Sequence, residues 1–328
     1  MKNISRTNIV VLCFNALTYT KATLQSLFLS TDTPYILTII DNGSDEDTQE
    51  FLKSLNPPET CEKLILIRND ENLGVGHAYN QGFNVSIAEN TLYTCFCNND
   101  LYFSKDWLVV LESYLDSHQN VAMVNPLRPS TTTMYSSELS TMDRLHQADE
   151  TDNWEQELIN FTNRPISEFN DFCGDIIEFN CAYYNADDTI LKFPDSLSTC
   201  VCLARNKQLL KLDSFANPVF KGYGGEDIDT SWRVMGQGYD CAIYRKAYVH
   251  HFRGKSLKPN GLDRRALLAR SNRLLYESWR HEINRFINHE ISQGVDVRGK
   301  LSNVTNDEYW LLSQLDADIN ILDGIQNG

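Results

Sequence analysis

"NIVVLCFNALTYTKATLQSLFLSTDTPYILTIIDN" occupies residues 8–42 and decides the fold class. It opens with a continuous apolar, β-rich run over 8–14, the pattern of a strand buried on both faces. Residues 18–30 then place Leu24, Leu27 and Phe28 at helical spacing. "YILTII" (35–40) is a second apolar strand. Strand, helix and strand in this order form a βαβ unit, whose strands lie parallel.

The alternation continues outward. "EDTQEFLKSL" (46–55) reads as a helix and "KLILIR" (63–68) as a third strand. "NLGVGHAYNQGFNVSI" (72–87) is a loop entering a helix, and "LYTCFC" (92–97) is a fourth strand. "DWLVVLESYL" (106–115) is a helix and "VAMVNP" (121–126) a further strand. The expected architecture is α/β, a mostly parallel sheet flanked by helices. Asn15, Asp41 and the "NND" of 98–100 each follow an apolar run. Ligands of open α/β sheets bind beyond the carboxyl ends of the strands, so these residues mark a site.

Composition narrows the partners. The chain has 328 residues, 42% of them hydrophobic, and a formal net charge of −15. Such a balance argues against broad binding to nucleic acid or anionic membranes. No apolar run approaches the ~20 residues of a membrane helix, and the start lacks a signal-peptide layout. The expected location is cytoplasmic, with contact to the inner face of a membrane left open. The nine cysteines are an odd count without framework spacing. Cys95 with Cys97, and Cys200 with Cys202, read as buried strand thiols in preference to zinc ligands. "GVGHAYNQG" lacks the G-x-G-x-x-G spacing, and no G-x-x-x-x-G-K-[ST] loop occurs.

Two clusters carry chemistry. Asn98 and Asp100 lie two apart, so an extended backbone points both side chains the same way. One carboxylate and one amide oxygen suit a hard cation that shares its shell with phosphates; a turn before the helix at 106 explains them equally well. "GYGGEDIDTSWRVMGQG" (222–238) sets Glu226, Asp227 and Asp229 directly after three glycines. Acids in a first helical turn complement the macrodipole, and Asp229 reads as a helix-start residue or the partner of Arg233.

The order of motifs resembles a known family. "VVLCFNALTYTKATLQSL", "IIDNGSDEDT", "NLGVGHAYNQGF", "FCNND" and "GYGGEDIDTSWRVMGQGYDCAIYRKAYVHHF" look like the family-2 inverting glycosyltransferases of the GT-A fold. The resemblance covers roughly residues 8–125 and 198–256. It implies a GT-A type, Rossmann-like sheet with a C-terminal helical extension. Residues 1–125 would form the nucleotide-sugar-binding half, 126–256 the acceptor-binding and catalytic half, and 257–328 the extension.

The resemblance also implies roles. A sugar would pass from a nucleotide-diphosphate donor, uridine-based, to an acceptor hydroxyl with inversion. Asp41 would accept a hydrogen bond from the base; Asn15 and Asn80 would line the donor pocket, joined by Asn99 and Asp100. Asp100 matches the last carboxylate of the family's D-x-D metal motif, while Asn98 stands where the family has Asp. Asp100, Asn98 and His251 would hold Mn²⁺ or Mg²⁺ on the diphosphate, with His250 the fallback. Lys255 itself reads as a solvated loop lysine or a phosphate contact. Asp227 would be the general base, with Glu226 beside it. Gly224, Gly225 and Glu226 would meet the acceptor, which is a glycan, lipid-linked sugar, peptide or small molecule. A non-catalytic nucleotide-sugar or glycan-binding protein, a sugar nucleotidyltransferase and a glycoside hydrolase are the alternatives. A nucleotidyltransferase would carry a glycine-rich loop after the first strand, and "CFNALTYTK" has no glycine.

The remaining segments name no ligand. The polar part of 126–198 reads as a lid or helical insert. Residues 262–288 read as a long helix with Leu267, Leu274, Trp279, Ile283 and Phe286 on an apolar side. Arg264, Arg265, Arg270, Arg273, Arg280 and Arg285 make it basic, so it either packs on the domain or docks on a membrane or partner. The C-terminal tail pairs with it or mediates a homodimer.

Overall fold

The opening runs become strands β1 (Thr7–Cys13) and β2 (Tyr35–Asn42), every residue of both buried, paired in parallel. Alternation explains the burial. Ile9 and Val11 enter one apolar cluster, Val10 and Leu12 the opposite one, so both faces of the strand are covered.

The computed structural model describes residues 5–129, 153–252, 263–302 and 309–326. Its further strands are β3 (Cys61–Asn69), β4 (Tyr93–Asn98), β5 (Leu101–Phe103), β6 (Val121–Leu127), β7 (Asp188–Ile190), β8 (Val201–Arg205) and β9 (Asp240–His251). The helices are α1 (Leu17–Ser30), α2 (Glu46–Lys53), α3 (Val75–Ala88), α4 (Trp107–Ser117), α5 (Asn153–Thr162), α6 (Ile166–Tyr184) and α7 (Asn206–Leu209). After these come α8 (Glu226–Gly236), α9 (Arg264–Ser292), α10 (Val297–Ser302), α11 (Trp310–Ile319) and α12 (Ile321–Gln326).

Among the described residues the nine strands form one sheet in the order β3-β2-β1-β4-β8-β6-β9-β5, with β7 on β9. Strands β1–β4, β6 and β9 run one way; β5, β7 and β8 run the other. The sheet is therefore mostly parallel, and β1, β2, β4 and β6 end on one edge.

Helices α1, α2 and α4 cover one face through Leu24, Leu27, Leu52, Trp107 and Leu111. Helices α3 and α8 cover the other through Ala78, Tyr79, Phe83 and Val234. Contact there is close: a Cβ on Gly82 of α3 would lie 2.2 Å from Val10 Cγ1. Helices α5 and α6 form the helical insert expected within 126–198, packing Phe161 and Phe169 on Tyr102, Tyr248 and Phe252. Residues 130–152 of that stretch lie outside the described residues.

The C-terminal helix packs on the domain. Leu275, Ile283 and Ile287 are fully buried, with Phe220 and Trp232 in the same cluster. Leu274, Trp279 and Phe286 from the sequence reading lie at its partly buried margin. Arg270, Arg273, Arg280 and Arg285 stay exposed on the far side. Among the described residues no helix is long and apolar enough to cross a membrane. The four C-x-C cysteines are buried and free, as read from their strand spacing.

Candidate active site

The carboxyl end of β2 builds the first part of the site. Asp41, 2% exposed, accepts from Arg68 Nη1 through Oδ2 (2.6 Å) and from the Ser44 amide through Oδ1 (3.0 Å). Arg68 stands opposite Asp41 in the β2–β3 register. Ladder pairing thus holds this carboxylate in place. Beside it, Asn69 Nδ2 donates to Asn42 Oδ1 (2.9 Å), and Asn42 Nδ2 donates to Asn72 Oδ1 (2.8 Å). Asn15, at φ 52°, joins the ends of β1 and β2. Its amide donates to Ser44 Oγ (2.9 Å) and its Oδ1 accepts from the Asp45 amide (2.7 Å).

The 98–100 turn forms the centre. Asn99 Nδ2 donates to Thr20 Oγ1 (2.7 Å) and to the Asn15 carbonyl (3.1 Å), fastening this turn to the end of β1. Asn98 Oδ1 lies 2.9 Å from the Tyr79 hydroxyl, which also faces the Thr199 carbonyl. Asp100 Oδ1 lies 3.1 Å from His251 Nε2. Register decides between the two histidines. Antiparallel pairing sets Leu101 opposite His251, and neighbouring strand residues face opposite sides. His250 therefore turns into the aromatic cluster, 4.9 Å from both Phe161 and Phe252, with Nδ1 2.9 Å from the Tyr248 hydroxyl. Lys255 lies outside the described residues.

Burial and charge act together around His251. Burial opposes its positive form, but Cys200 and Asp100 outweigh that and push it up to about 9. Burial likewise opposes the Cys200 thiolate, and His251 with Arg128 pulls it down to about 6. Burial raises the Tyr79 hydroxyl well above its usual range, helped by the nearby charges of Cys97, Cys200, Glu226 and Asp100.

The third part is the loop that opens helix α8. Gly222, Gly224 and Gly225 sit at φ 111°, 85° and 88°, a left-handed region that favours glycine. Gly222 backs onto Gly74, where a Cβ would come within 2.6 Å of the Gly222 nitrogen. Glu226 and Asp227 follow in the first turn. Burial raises both carboxyls, and the neighbouring charge of Asp227 adds to the rise of Glu226, to about 8. The Ile228 amide, donating to Asp227 Oδ1 (2.9 Å), and the Arg128 charge favour the ionised form of Asp227. Asp229 is held by Arg233 Nε (2.7 Å) and Trp279 Nε1 (2.9 Å), the pairing expected from its i, i+4 spacing.

A cavity of about 280 Å³ joins the three parts, lined by Leu12, Phe14, Asn42, Asn72 and Val75, by Asn98, Asn99 and Asp100, and by Gly222, Tyr223 and Leu267. A more open hollow of about 400 Å³, between Lys211, Arg233 and Trp279, lies apart from these strand ends. Asn80 is placed differently from the cavity residues. Its amide exchanges two hydrogen bonds with the Ala216 backbone (2.8 and 2.9 Å), tying α3 to the segment before Gly222.

Sequence reading missed Arg128, Cys200, Tyr79, Arg68 and Leu267. Arg128 directly follows β6, so the strand-end rule could have found it. The others carry no local signal, since strand pairing and helix packing bring them in.

Among the described residues no set of three His, Cys, Asp or Glu side chains stands ready to hold a metal. Asp100 offers one carboxylate oxygen, and His251 one imidazole nitrogen once an incoming cation has displaced its proton. That donor set fits a cation completed by phosphate oxygens, since Mg²⁺-type sites take one or two carboxylates plus substrate phosphates.

A family model described as glycosyl transferase family 2 matches residues 8–175. No curated protein matches the chain. Among solved structures, mannosyltransferase PcManGT from Pyrobaculum calidifontis, in complex with GDP-Man and Mn²⁺, superposes at TM-score 0.53 and 13% identity, over 98% of this chain and 76% of its own. S. aureus TarS 1–349 with UDP-GlcNAc gives 0.53 and 13%, over 98% and 83%. A longer S. aureus TarS gives 0.53 and 14%, over 98% of this chain; the chain spans 50% of it. At these identities the likeness is one of fold.

Proposed function

The chain belongs to glycosyl transferase family 2, and from that premise we propose that it moves a sugar from a nucleoside-diphosphate donor to an acceptor hydroxyl, with inversion. Uridine is the base to test first, because a TarS structure holds UDP-GlcNAc; PcManGT, with GDP-Man, makes guanosine the control. Asp41, fixed by Arg68 and Ser44, would accept from the base N–H. Asp100 and His251 would hold Mn²⁺ or Mg²⁺ with the diphosphate, with Asn98 beside them. The bound cation would neutralise charge gathering on the leaving diphosphate.

The carboxylate pair supplies the proton acceptor. Two adjacent carboxyls, Glu226 buried and Asp227 half-buried, resist ionising together. Burial and the Asp227 charge raise Glu226 to about 8, which favours the proton there, while the Ile228 amide and the Arg128 charge favour the ionised form of Asp227. Asp227 takes the acceptor proton as the hydroxyl oxygen bonds to the anomeric carbon. The bond from that carbon to the diphosphate oxygen breaks, and its electron pair leaves with the diphosphate. Burial raises the Asp227 carboxyl, which brings it nearer to neutrality and makes it a stronger base. Gly224, Gly225 and Glu226 would bound the acceptor, whose class is open among glycan, lipid-linked sugar, peptide and small molecule.

One observation carries this reading: Tyr79 feels the charges of both Asp100 and Glu226, and the Arg128 charge acts on both Asp227 and the Cys200 that faces His251, so the Asp100–His251 and Glu226–Asp227 pairs share one site. Titration calorimetry with uridine- and guanosine-diphosphate sugars, with and without Mn²⁺, tests it. Metal-dependent binding of a nucleotide sugar and release of free nucleoside diphosphate are expected. Binding without turnover, across a panel of acceptors, would favour a binding protein instead.

A further inference from the structure

We infer that the long C-terminal helix α9 is a working part of the active site, in which Ser271 and Trp279 act as positioning residues for Asp227. The inference rests on the reading of Asp227 as the base.

The loop before Asp227 has little conformational preference of its own. Three of its four residues are glycines at positive φ, and glycine loses more backbone freedom on ordering than any other residue. Something outside the loop must therefore hold it. On the donor side the Val75 amide donates to the Gly222 carbonyl (3.0 Å). On the other side the Phe220 ring backs Gly225, where a Cβ would lie 2.8 Å from it, and α9 holds the rest of the loop. Ser271 Oγ donates to the Tyr223 carbonyl at 2.8 Å, across 48 residues of chain. A Cβ on Gly224 would lie 2.9 Å from Leu268 Cδ2, so helix and loop backbone are in contact. Leu267, one residue earlier, reaches the cavity wall beside Tyr223. Two residues beyond Asp227, Trp279 Nε1 donates to the buried Asp229. Asp227 is thus bracketed, and α9 contributes to both brackets.

A loop-held base must stay near its productive position, because small misplacements cost catalysis heavily. Losing one neutral hydrogen bond should lower the fraction of correctly placed loop by about 2- to 10-fold. Expected for Ser271→Ala in the full chain is faster amide hydrogen exchange confined to residues 222–225. Trypsin cleavage after exposed Lys221 should rise, and kcat should fall by about the same 2- to 10-fold, with the donor KM unchanged. Ser271→Thr keeps the hydroxyl and should restore all three. Trp279→Phe should loosen the first turn of α8 in the same exchange map. Unchanged exchange and kcat in Ser271→Ala would overturn the proposal. So would equal losses in the Ala and Thr variants with exchange raised along all of α9, since that pattern marks simple packing. The exchange and cleavage measurements need no substrate. A chain that turns over no nucleotide sugar would sink the transferase reading while leaving the latch itself measured.

Discussion

The side proposed to bind the donor and the carboxylate side of the site are built in different ways. Asp41, Arg68, Asn42 and Asn69 sit on neighbouring strands whose ladder sets them face to face. Glu226 and Asp227 sit at the mouth of a glycine loop, held in part by a helix that arrives some 50 residues later in the chain. The first region inherits its geometry from the sheet. The second has no such frame and depends on side-chain contacts with α9. The difference teaches where the site should tolerate change and where it should not.

Asp227→Asn should have the largest effect. It keeps the shape and removes the proposed proton acceptor, so kcat should fall on the order of 100- to 10,000-fold, with donor affinity retained. A near-normal rate in this variant, with its fold confirmed, would dissolve the distinction between the two sides. Arg233→Ala comes next. It removes the charge partner of Asp229, which is 2% exposed and salt-bridged at 2.7 Å, and leaves it the Trp279 indole. Breaking such a pair costs about 3–5 kcal/mol; the partly exposed arginine argues for the lower end, read as a loss of stability in urea melts. Arg68→Ala, the matching change on the donor side, should be far milder in stability, because the strand ladder persists. A larger loss there would reverse the comparison.

Asp100→Ala should weaken metal-dependent donor binding by about 10- to 100-fold, the range typical of perturbed metal sites, and Asn98→Ala less. Titration of the donor with and without Mn²⁺ reads this directly. The smallest effect concerns pH. An unfolded glutamate loses its proton near 4.5, whereas folded Glu226 keeps its proton up to about 8. Between those values unfolding releases a proton, so this group makes stability fall as pH rises. Glu226→Gln should flatten that fall and raise the melting temperature at pH 8 relative to the unchanged chain. An unchanged slope of melting temperature against pH would remove the buried-proton account of the pair.

Much of this was legible in the residues. The apolar runs at 8–14, 35–40 and 92–97 became strands because alternating or continuous hydrophobicity is a local property that survives any tertiary arrangement. The strand-end polar residues fell at the carboxyl edge of the sheet for the same reason. Asp229 was read correctly as the partner of Arg233, since i, i+4 spacing on a helix brings two side chains together without outside help. Asn80, which its place in the motif implied for the donor pocket, exchanges hydrogen bonds with the Ala216 backbone, a contact no local pattern carries.

The sequence by itself determined the α/β alternation, the polar strand ends and the first-turn acids, because each is encoded within a few residues. Only the tertiary structure decided that His251 and not His250 meets Asp100, because a single step of strand register exchanges one face for the other. It alone gathered Tyr79, Arg128 and Cys200 beside the carboxylates, and it alone turned the C-terminal helix from an extension into a wall of the cavity. These outcomes depend on which distant strands pair and on what fills the space beside a glycine loop, and no local pattern carries either.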